Sequence, residues 1–239
     1  MSVKPYGTEG SKKEEVRQMF DNIAPTYDLL NHALSMNIDR IWRRKAIKLV
    51  KLSQAKTVLD VATGTGDLAI ATIKANPDKI IGIDLSAGMI EIGLKKIKNK
   101  GLDKKIDLIV GDSEDLPFAE KSFDAVTVAF GVRNFENPVK GLKEMHRVTR
   151  PGGMIVVLEF MLPKGKLIEP LYRFYFRRII PMVGKVISKD FSAYKYLPDS
   201  VKAFPQRNDF LQLLTQAGYK DASYKSLSAG IAGLYVATR

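Results

Sequence analysis

The chain has no cysteine and only two histidines and one tryptophan among its 239 residues. Without cysteine there is no disulfide, no thiolate metal site and no cysteine nucleophile. His32 and His146 are too far apart in sequence to read as metal ligands, and no metal is expected. His146 lies in a helical run ending before Pro151 and reads as structural; His32 either lines an active cleft or partners a helix cap. No apolar run approaches the roughly 20 residues that span a bilayer. The polar, Lys/Glu-rich start of the chain, residues 1–18, lacks the apolar core of a signal peptide. The expectation is a cytoplasmic protein, at most associated with the inner face of the cell membrane. Acidic residues are the scarcer charge, 26 against 38 basic, for a net charge of +12. That excess suits nucleic acid, an anionic membrane surface or an anionic small molecule.

What is present is a rhythm. Strand candidates at 57–61, 79–83, 106–110, 124–129 and 153–160 alternate with helical periodicity at 67–76, 88–100 and 137–149. The alternation predicts an α/β fold with a Rossmann-like, mostly parallel sheet covered on both faces. A helix over 207–217 and strands at 221–227 and 232–238 would close it with an antiparallel hairpin, seven strands in all. Such a hairpin suits methyltransferases better than dehydrogenases, by fold analogy. At 45% hydrophobic, the chain can form one domain over 1–239. Residues 1–15 read as a loose tail, followed by helices over 15–27 and 37–50, with Ile38, Ile41, Trp42 and Ile47 on a buried stripe. The first fifty residues are expected to form a helical lid. Residues 163–206 break the rhythm: seven basic residues lie between Lys164 and Lys189 against the single Glu169. There Leu171, Tyr172, Tyr175, Phe176, Ile179 and Ile180 interleave with Arg173, Arg177 and Arg178, the pattern of an amphipathic helical insertion.

The most informative stretch is Thr57-Val-Leu-Asp-Val-Ala-Thr-Gly-Thr-Gly-Asp-Leu-Ala69, an apolar strand, a glycine turn and the start of a helix. Gly64 and Gly66 allow backbone N–H groups close to a ligand where a Cβ would collide. Asp60 ends the strand and can orient the turn or receive a ligand's ammonium group; Thr63, Gly64, Thr65 and Gly66 form a cradle. The second strand, Lys79-Ile-Ile-Gly-Ile-Asp84, ends in a carboxylate placed to accept two ribose hydroxyls. Asp112 and Ser113 follow the third strand, where a carboxylate can hold an adenine amino group, and Ala129 ends the fourth. NAD is the rival ligand, because Gly64-x-Gly66-x-x-Ala69 satisfies a relaxed dinucleotide fingerprint. Asp67, in the first helical turn, is awkward beside two phosphates and tolerable beside a cationic sulfonium, which favours S-adenosylmethionine.

Ala129-Phe-Gly-Val-Arg-Asn-Phe135 follows the fourth strand, where a transferred methyl group should emerge. Arg133 is a fixed cation able to stabilise an oxyanion. Asn134 can orient a substrate oxygen or a water. The alternative for the pair is an Arg–carboxylate tether and a turn amide. Tyr27 and Asp28 stand where an N-terminal helix could cover the cofactor. Tyr194 and Asp190 are the polar members of the insertion that could face substrate.

Tyr27-Asp-Leu-Leu-Asn31, Leu59-Asp-Val-Ala-Thr-Gly-Thr-Gly-Asp67, Asp84-Leu-Ser-Ala-Gly-Met89, Phe130-Gly-Val-Arg-Asn134, Arg147-Val-Thr-Arg-Pro-Gly-Gly153 and Leu227-Ser-Ala-Gly-Ile231 carry a further reading. Over nearly its whole length the chain resembles the quinone-biosynthesis C-methyltransferases, which act on demethylmenaquinol or a polyprenyl-methoxybenzoquinol. The resemblance implies a class I fold, S-adenosylmethionine as methyl donor held by Thr65, Asp84, Asp112 and Ser113, and a prenylated quinol near Arg133 and Asn134. It implies the naphthoquinol more than the benzoquinol. In that chemistry Arg133 would be the electrostatic stabiliser, Asn134 the orienter of a base or water, and Tyr194 a contact to the ring hydroxyl. Three positions depart from the family. Ala62 replaces a glycine, Asn37 and Asp39 replace a glycine and a histidine, and Ala129 stands where some relatives have serine.

Further partners follow from the same reading. The apolar face over 171–180 could take the isoprenoid tail while its arginines meet acidic headgroups, so peripheral contact with an anionic membrane is open, as is a homodimer. Nucleic acid is not expected, because the aromatics cluster with aliphatics rather than on a basic stacking surface. A nicotinamide oxidoreductase, a nucleic-acid-binding module and an RNA methyltransferase remain the alternatives.

Overall fold

Alternate residues of a strand face opposite sides of its sheet, and here both sides are apolar. Val58, Ile80, Ala125, Val156 and Leu158 pack into one core, Leu59, Ile83, Val126, Val128, Ile155 and Val157 into the other. The protein, a computed structural model, is described for residues 3–165, 168–175, 178 and 192–239. Its strands are β1 (Thr57–Val61), β2 (Lys79–Asp84), β3 (Ile106–Val110), β4 (Phe123–Ala129), β5 (Thr149–Phe160), β6 (Lys220–Leu227) and β7 (Ala232–Thr238). They form one seven-stranded sheet in the order β3-β2-β1-β4-β5-β7-β6. The first five are parallel, and β7 runs antiparallel between β5 and β6. The chain order reverses between β1 and β4, so the carboxyl ends of β1, β2 and β4 open a crevice at the switch point.

The helices are α1 (Lys12–Leu34), α2 (Ile38–Leu52), α3 (Asp67–Thr72), α4 (Ala87–Asn99), α5 (Pro138–Val148), α6 (Ile168–Phe174), α7 (Ser192–Ala203) and α8 (Asn208–Gln216). Trp42, Ile47 and Val50 of α2 and Ile90 and Ile97 of α4 cover one face; Leu142 and Met145 of α5 and Phe210 and Leu214 of α8 cover the other. A third apolar cluster joins Val16, Met19 and Ile23 of α1 to Met89 of α4, Tyr172 of α6, and Ala193 and Tyr196 of α7. That cluster seats the first helix and the insertion on one another.

Five local expectations shift. Residues 3–11 are not loose: the Glu15 carboxylate accepts the backbone N–H groups of Tyr6, Gly7 and Thr8 at 2.7, 2.9 and 2.7 Å. The helix that follows begins at Lys12 and runs past Tyr27 to Leu34. The helix expected over 67–76 ends at Thr72 and tightens into a 3₁₀ turn, Ile73–Ala75. β5 begins at Thr149, paired with Phe123, so Pro151 and Gly152 lie inside the strand rather than before it. On α2, Ile41 is 50% exposed, and the buried side instead carries Asp39, Ala46 and Val50 beside Trp42 and Ile47. Phe176, Arg177, Ile179, Ile180 and Asp190 lie outside the described residues. Among the described residues no helix is long and apolar enough to cross a membrane.

Candidate active site

The turn after β1 is left-handed at Ala62, Gly64 and Gly66, with φ of 51°, 57° and 79°. Glycine adopts this conformation freely, whereas at Ala62 the Cβ makes it costly. The Gly64 amide donates to Asp84 Oδ2 at 2.8 Å and the Ser86 amide to Oδ1 at 2.9 Å. These two bonds fix the carboxylate plane at the end of β2 and leave lone pairs on both oxygens. Burial raises the Asp84 pKa, against the pull of those amides. Asp60 is more enclosed. It accepts the hydroxyls of Thr63 at 2.6 Å and Thr127 at 2.8 Å, and burial still pushes its carboxyl up to about 6.

One cavity is lined by Gly64, Asp84, Asp112, Ser113 and Ala129, together with Phe20, Tyr27, Phe130 and Asn134. A smaller one behind it is lined by Asp60, Thr63, Gly64, Thr65 and Ala129, again with Tyr27 and Phe130. Gly66 lines neither; it caps α3, where an added Cβ would touch Leu108 at 3.4 Å. α1 lies across these openings. Lys13 pairs with Asp112 at 2.7 Å, Asp21 accepts the Ser86 hydroxyl at 2.6 Å, and Asp28 accepts the Thr65 hydroxyl at 2.5 Å. At its start, Lys12 Nζ donates to the carbonyls of Arg133 and Phe135 at 2.9 and 2.7 Å. Burial, aided by Arg133, holds that ammonium down at about 8.

The largest of the three cavities, about 520 Å³, is lined mostly by apolar and aromatic side chains from α1, α2, α6, α7 and the loop after β4. It too reaches Tyr27 and Phe130, so these two residues stand where all three spaces meet. Phe130 has φ 60°, a strained conformation for a bulky residue. Arg133 and Asn134 line the large cavity, with Tyr196 across from the sheet on α7. Arg133 Nη1 bonds Glu159 Oε1 at 2.8 Å and the Phe130 carbonyl, and its guanidinium lies 5.4 Å from the Phe160 ring centroid. Its Nε, the Asn134 Oδ1 and the Tyr196 hydroxyl are buried without a hydrogen-bond partner. Tyr194 is on α7, and its side chain lies outside the described residues.

His32 sits between two carboxylates, with Nδ1 3.1 Å from Asp39 and Nε2 3.2 Å from Asp67. Ligand-type atoms of the three lie within 4.8 Å of one another. Arg43 pairs with Asp39, and Lys96 with Asp67 at 2.6 Å, so cations of the protein already compensate both acids. Burial would raise the Asp67 pKa, but Arg43 and Lys96 outweigh it and hold the carboxyl below its ordinary value. Asp67 therefore belongs to a charge network, and its charge alone does not choose between a sulfonium and a pyrophosphate. His146 packs edge-on against Tyr219 at 5.0 Å, away from these cavities.

Sequence reasoning missed Glu159, Lys12, Lys13 and Tyr196. Glu159 had a signal: a carboxylate between apolar residues of a central strand needs a buried cation. The lysines had none, since their partners lie 99 to 123 residues away. The turns after β1 and β4 press together. A Cβ added at Gly131 would stand 2.5 Å from the Ala62 Cβ. Gly131→Ala is expected to cost about 1–3 kcal/mol, most of it recovered when Ala62→Gly is present. Urea unfolding of the four-protein cycle checks this, and equal losses in both backgrounds would refute the contact.

A sequence model described as the ubiE/COQ5 methyltransferase family matches residues 8–239. The chain is 48% identical to the demethylmenaquinone methyltransferase of Bacteroides fragilis, covering 99% of this chain and 97% of that one. It is 49% identical to the ubiquinone/menaquinone biosynthesis C-methyltransferase UbiE of Geobacter sp., covering 95% and 97%. Among solved structures, a SAM-dependent methyltransferase from Thermotoga maritima is similar with a TM-score of 0.61 over 93% of this chain and 99% of that one, at 18% identity. That last likeness concerns the fold alone.

Proposed function

The chain belongs to the ubiE/COQ5 methyltransferase family, and on that premise we propose that it transfers a methyl group from S-adenosylmethionine to a ring carbon of demethylmenaquinol, a prenylated naphthoquinol. The observation that carries the reading is the meeting of a carboxylate-lined crevice with a large aromatic cavity at Tyr27 and Phe130. The residues present fit the donor. Asp84 offers lone pairs that Gly64 and Ser86 leave unused, and the left-handed Gly64 has no Cβ to obstruct its approach. We assign the ribose to Asp84 and the base to Asp112 and Ser113, with Lys13 yielding Asp112 as the base arrives. The amino-acid end goes to the space bounded by Asp60, Thr63, Gly64 and Thr65, and Ala129 lines both parts.

When bound, the donor supplies an electrophilic methyl group on cationic sulfur; transfer to the ring carbon leaves a neutral thioether, and loss of the ring proton restores the aromatic quinol. The protein's part is positioning and charge. Aromatic walls hold the ring and the first isoprene units out of water, which strengthens every polar contact inside. Arg133 presents a cation tethered by Glu159, and Asn134 an oxygen for a hydroxyl or water; both are assigned to the ring. Tyr194 stays the sequence-level candidate for a ring hydroxyl.

Incubating the purified protein with a methyl-labelled donor and reduced demethylmenaquinone is expected to place the label on the naphthoquinol. Label found only on a polyprenyl-methoxybenzoquinol offered in parallel would overturn the substrate, and label on neither would overturn the reading.

A further inference from the structure

We propose that Tyr196 is a catalytic residue whose hydroxyl donates a hydrogen bond to the ionising ring oxygen of the substrate quinol. The inference rests on the quinol methylation proposed above and names a residue that reading did not use. Tyr196 is 4% exposed and lines the large cavity, and its hydroxyl has no hydrogen-bond partner. Buried polar groups are paired in almost all folded proteins, so one left open against a cavity calls for a ligand. The Arg133 Nε and the Asn134 Oδ1 are open in the same way, and both residues line the same cavity. Together they are two donors and one acceptor in a cavity whose walls are mostly apolar and aromatic, with Arg43, whose Nε is also unpaired, among its few other polar members.

Tyr219, a buried tyrosine outside this cavity, gives the contrast. It sits in the sheet-side core, against His146 and near Thr149. Tyr196, instead, is held by α7 within the field of Arg133 and Glu159. Burial pushes its own phenol up to about 12, so it stays protonated and can only donate toward an anion.

The chemistry needs such a donor. A phenol ionises at about 10, and the ring carbon becomes nucleophilic as the O–H proton passes to water. The electron pair of the oxyanion then feeds the ring as the new carbon–carbon bond forms and the carbon–sulfur bond breaks. Departure of the ring C–H proton to water leaves its electron pair in the aromatic ring and sends the oxygen's pair back to oxygen, which then regains a proton from water. A charge-assisted hydrogen bond from Tyr196, beside the Arg133 Nε–H, stabilises the oxyanion in a dry site and lowers the pH at which it forms.

The test is the pH dependence of kcat, which reports ionisation in the bound complex. In Tyr196→Phe the rising acid limb is expected to move up by about one to two pH units, the size of a lost hydrogen bond to a charged group. At neutral pH kcat would then fall about ten- to a hundred-fold, and recover toward the parent value at high pH. Site-specific 3-fluorotyrosine at position 196, a more acidic donor of nearly the same shape, is expected to move the limb down. Tyr219→Phe, which removes a core hydroxyl, is expected to leave the limb in place. An unshifted limb in both the phenylalanine and the fluorotyrosine proteins, with the parent methylating the quinol, would overturn the Tyr196 assignment alone. A parent protein that methylates no quinol would instead overturn the reading beneath it.

Discussion

Glu159→Leu is expected to lower the unfolding free energy by about 3–5 kcal/mol, the scale of breaking a buried ion pair from one side. Glu159 is fully buried and Arg133 is 9% exposed. One carboxylate serves three groups: the Arg133 guanidinium at 2.8 Å, the Arg133 amide at 3.3 Å and the Phe160 amide at 2.9 Å. Removing it strands a guanidinium in an apolar wall with only the Phe130 carbonyl opposite. Glu159→Gln, which keeps the shape and one acceptor, should lose less. The double variant Arg133→Met with Glu159→Leu should recover most of the loss, because two well-packed apolar side chains replace two desolvated charges. Urea denaturation measures all of these. By contrast the exposed pair Glu91–Lys95 should be silent when broken. A Glu159→Leu protein within about 1 kcal/mol of the parent would mean that water reaches the pair. The pair also explains why Arg133→Ala is a poor probe of chemistry: it leaves the Glu159 charge buried and unpaired, so lost turnover and lost folding arrive together.

Asp84→Asn is expected to weaken donor binding about 100-fold while leaving kcat at saturating donor nearly unchanged. Both Asp84 oxygens accept backbone amides, from Gly64 and Ser86. An asparagine must turn its NH₂ toward one of those N–H groups, so the cradle loses its anchor as well as its charge. Hydrogen bonds to a charged group contribute about 1.5–3 kcal/mol each, and about 2.8 kcal/mol corresponds to a hundred-fold in Kd. Titration calorimetry with S-adenosylhomocysteine reads the affinity without turnover. A Kd within about two-fold of the parent, set against that scale, would remove Asp84 from the binding set.

The two variants probe opposite kinds of information. The glycine turn and Asp84 were legible because they are local. A strand, a left-handed turn and a helix follow one another within thirteen residues, and the parallel register sets Asp84 beside them. Alternation of strand and helix, through the closing antiparallel pair, is likewise written in short-range periodicity. For that reason the sheet and most element positions could be read directly from the chain.

What surrounds the reacting groups could not. Whether Ile41 or Ala46 turns inward depends on the sheet that α2 meets, not on α2 itself. That Arg133 answers to Glu159, and Asp112 to Lys13, depends on distant segments arriving at one place. Among the described residues Tyr196 lines the cavity with an open hydroxyl, a placement that periodicity within the insertion does not give. Local propensity by itself determined the scaffold and the glycine turn after β1, because a few adjacent residues dictate those conformations. Only tertiary packing decided the partners of each buried charge and hydroxyl, because desolvation and pairing depend on which remote groups close over the crevice.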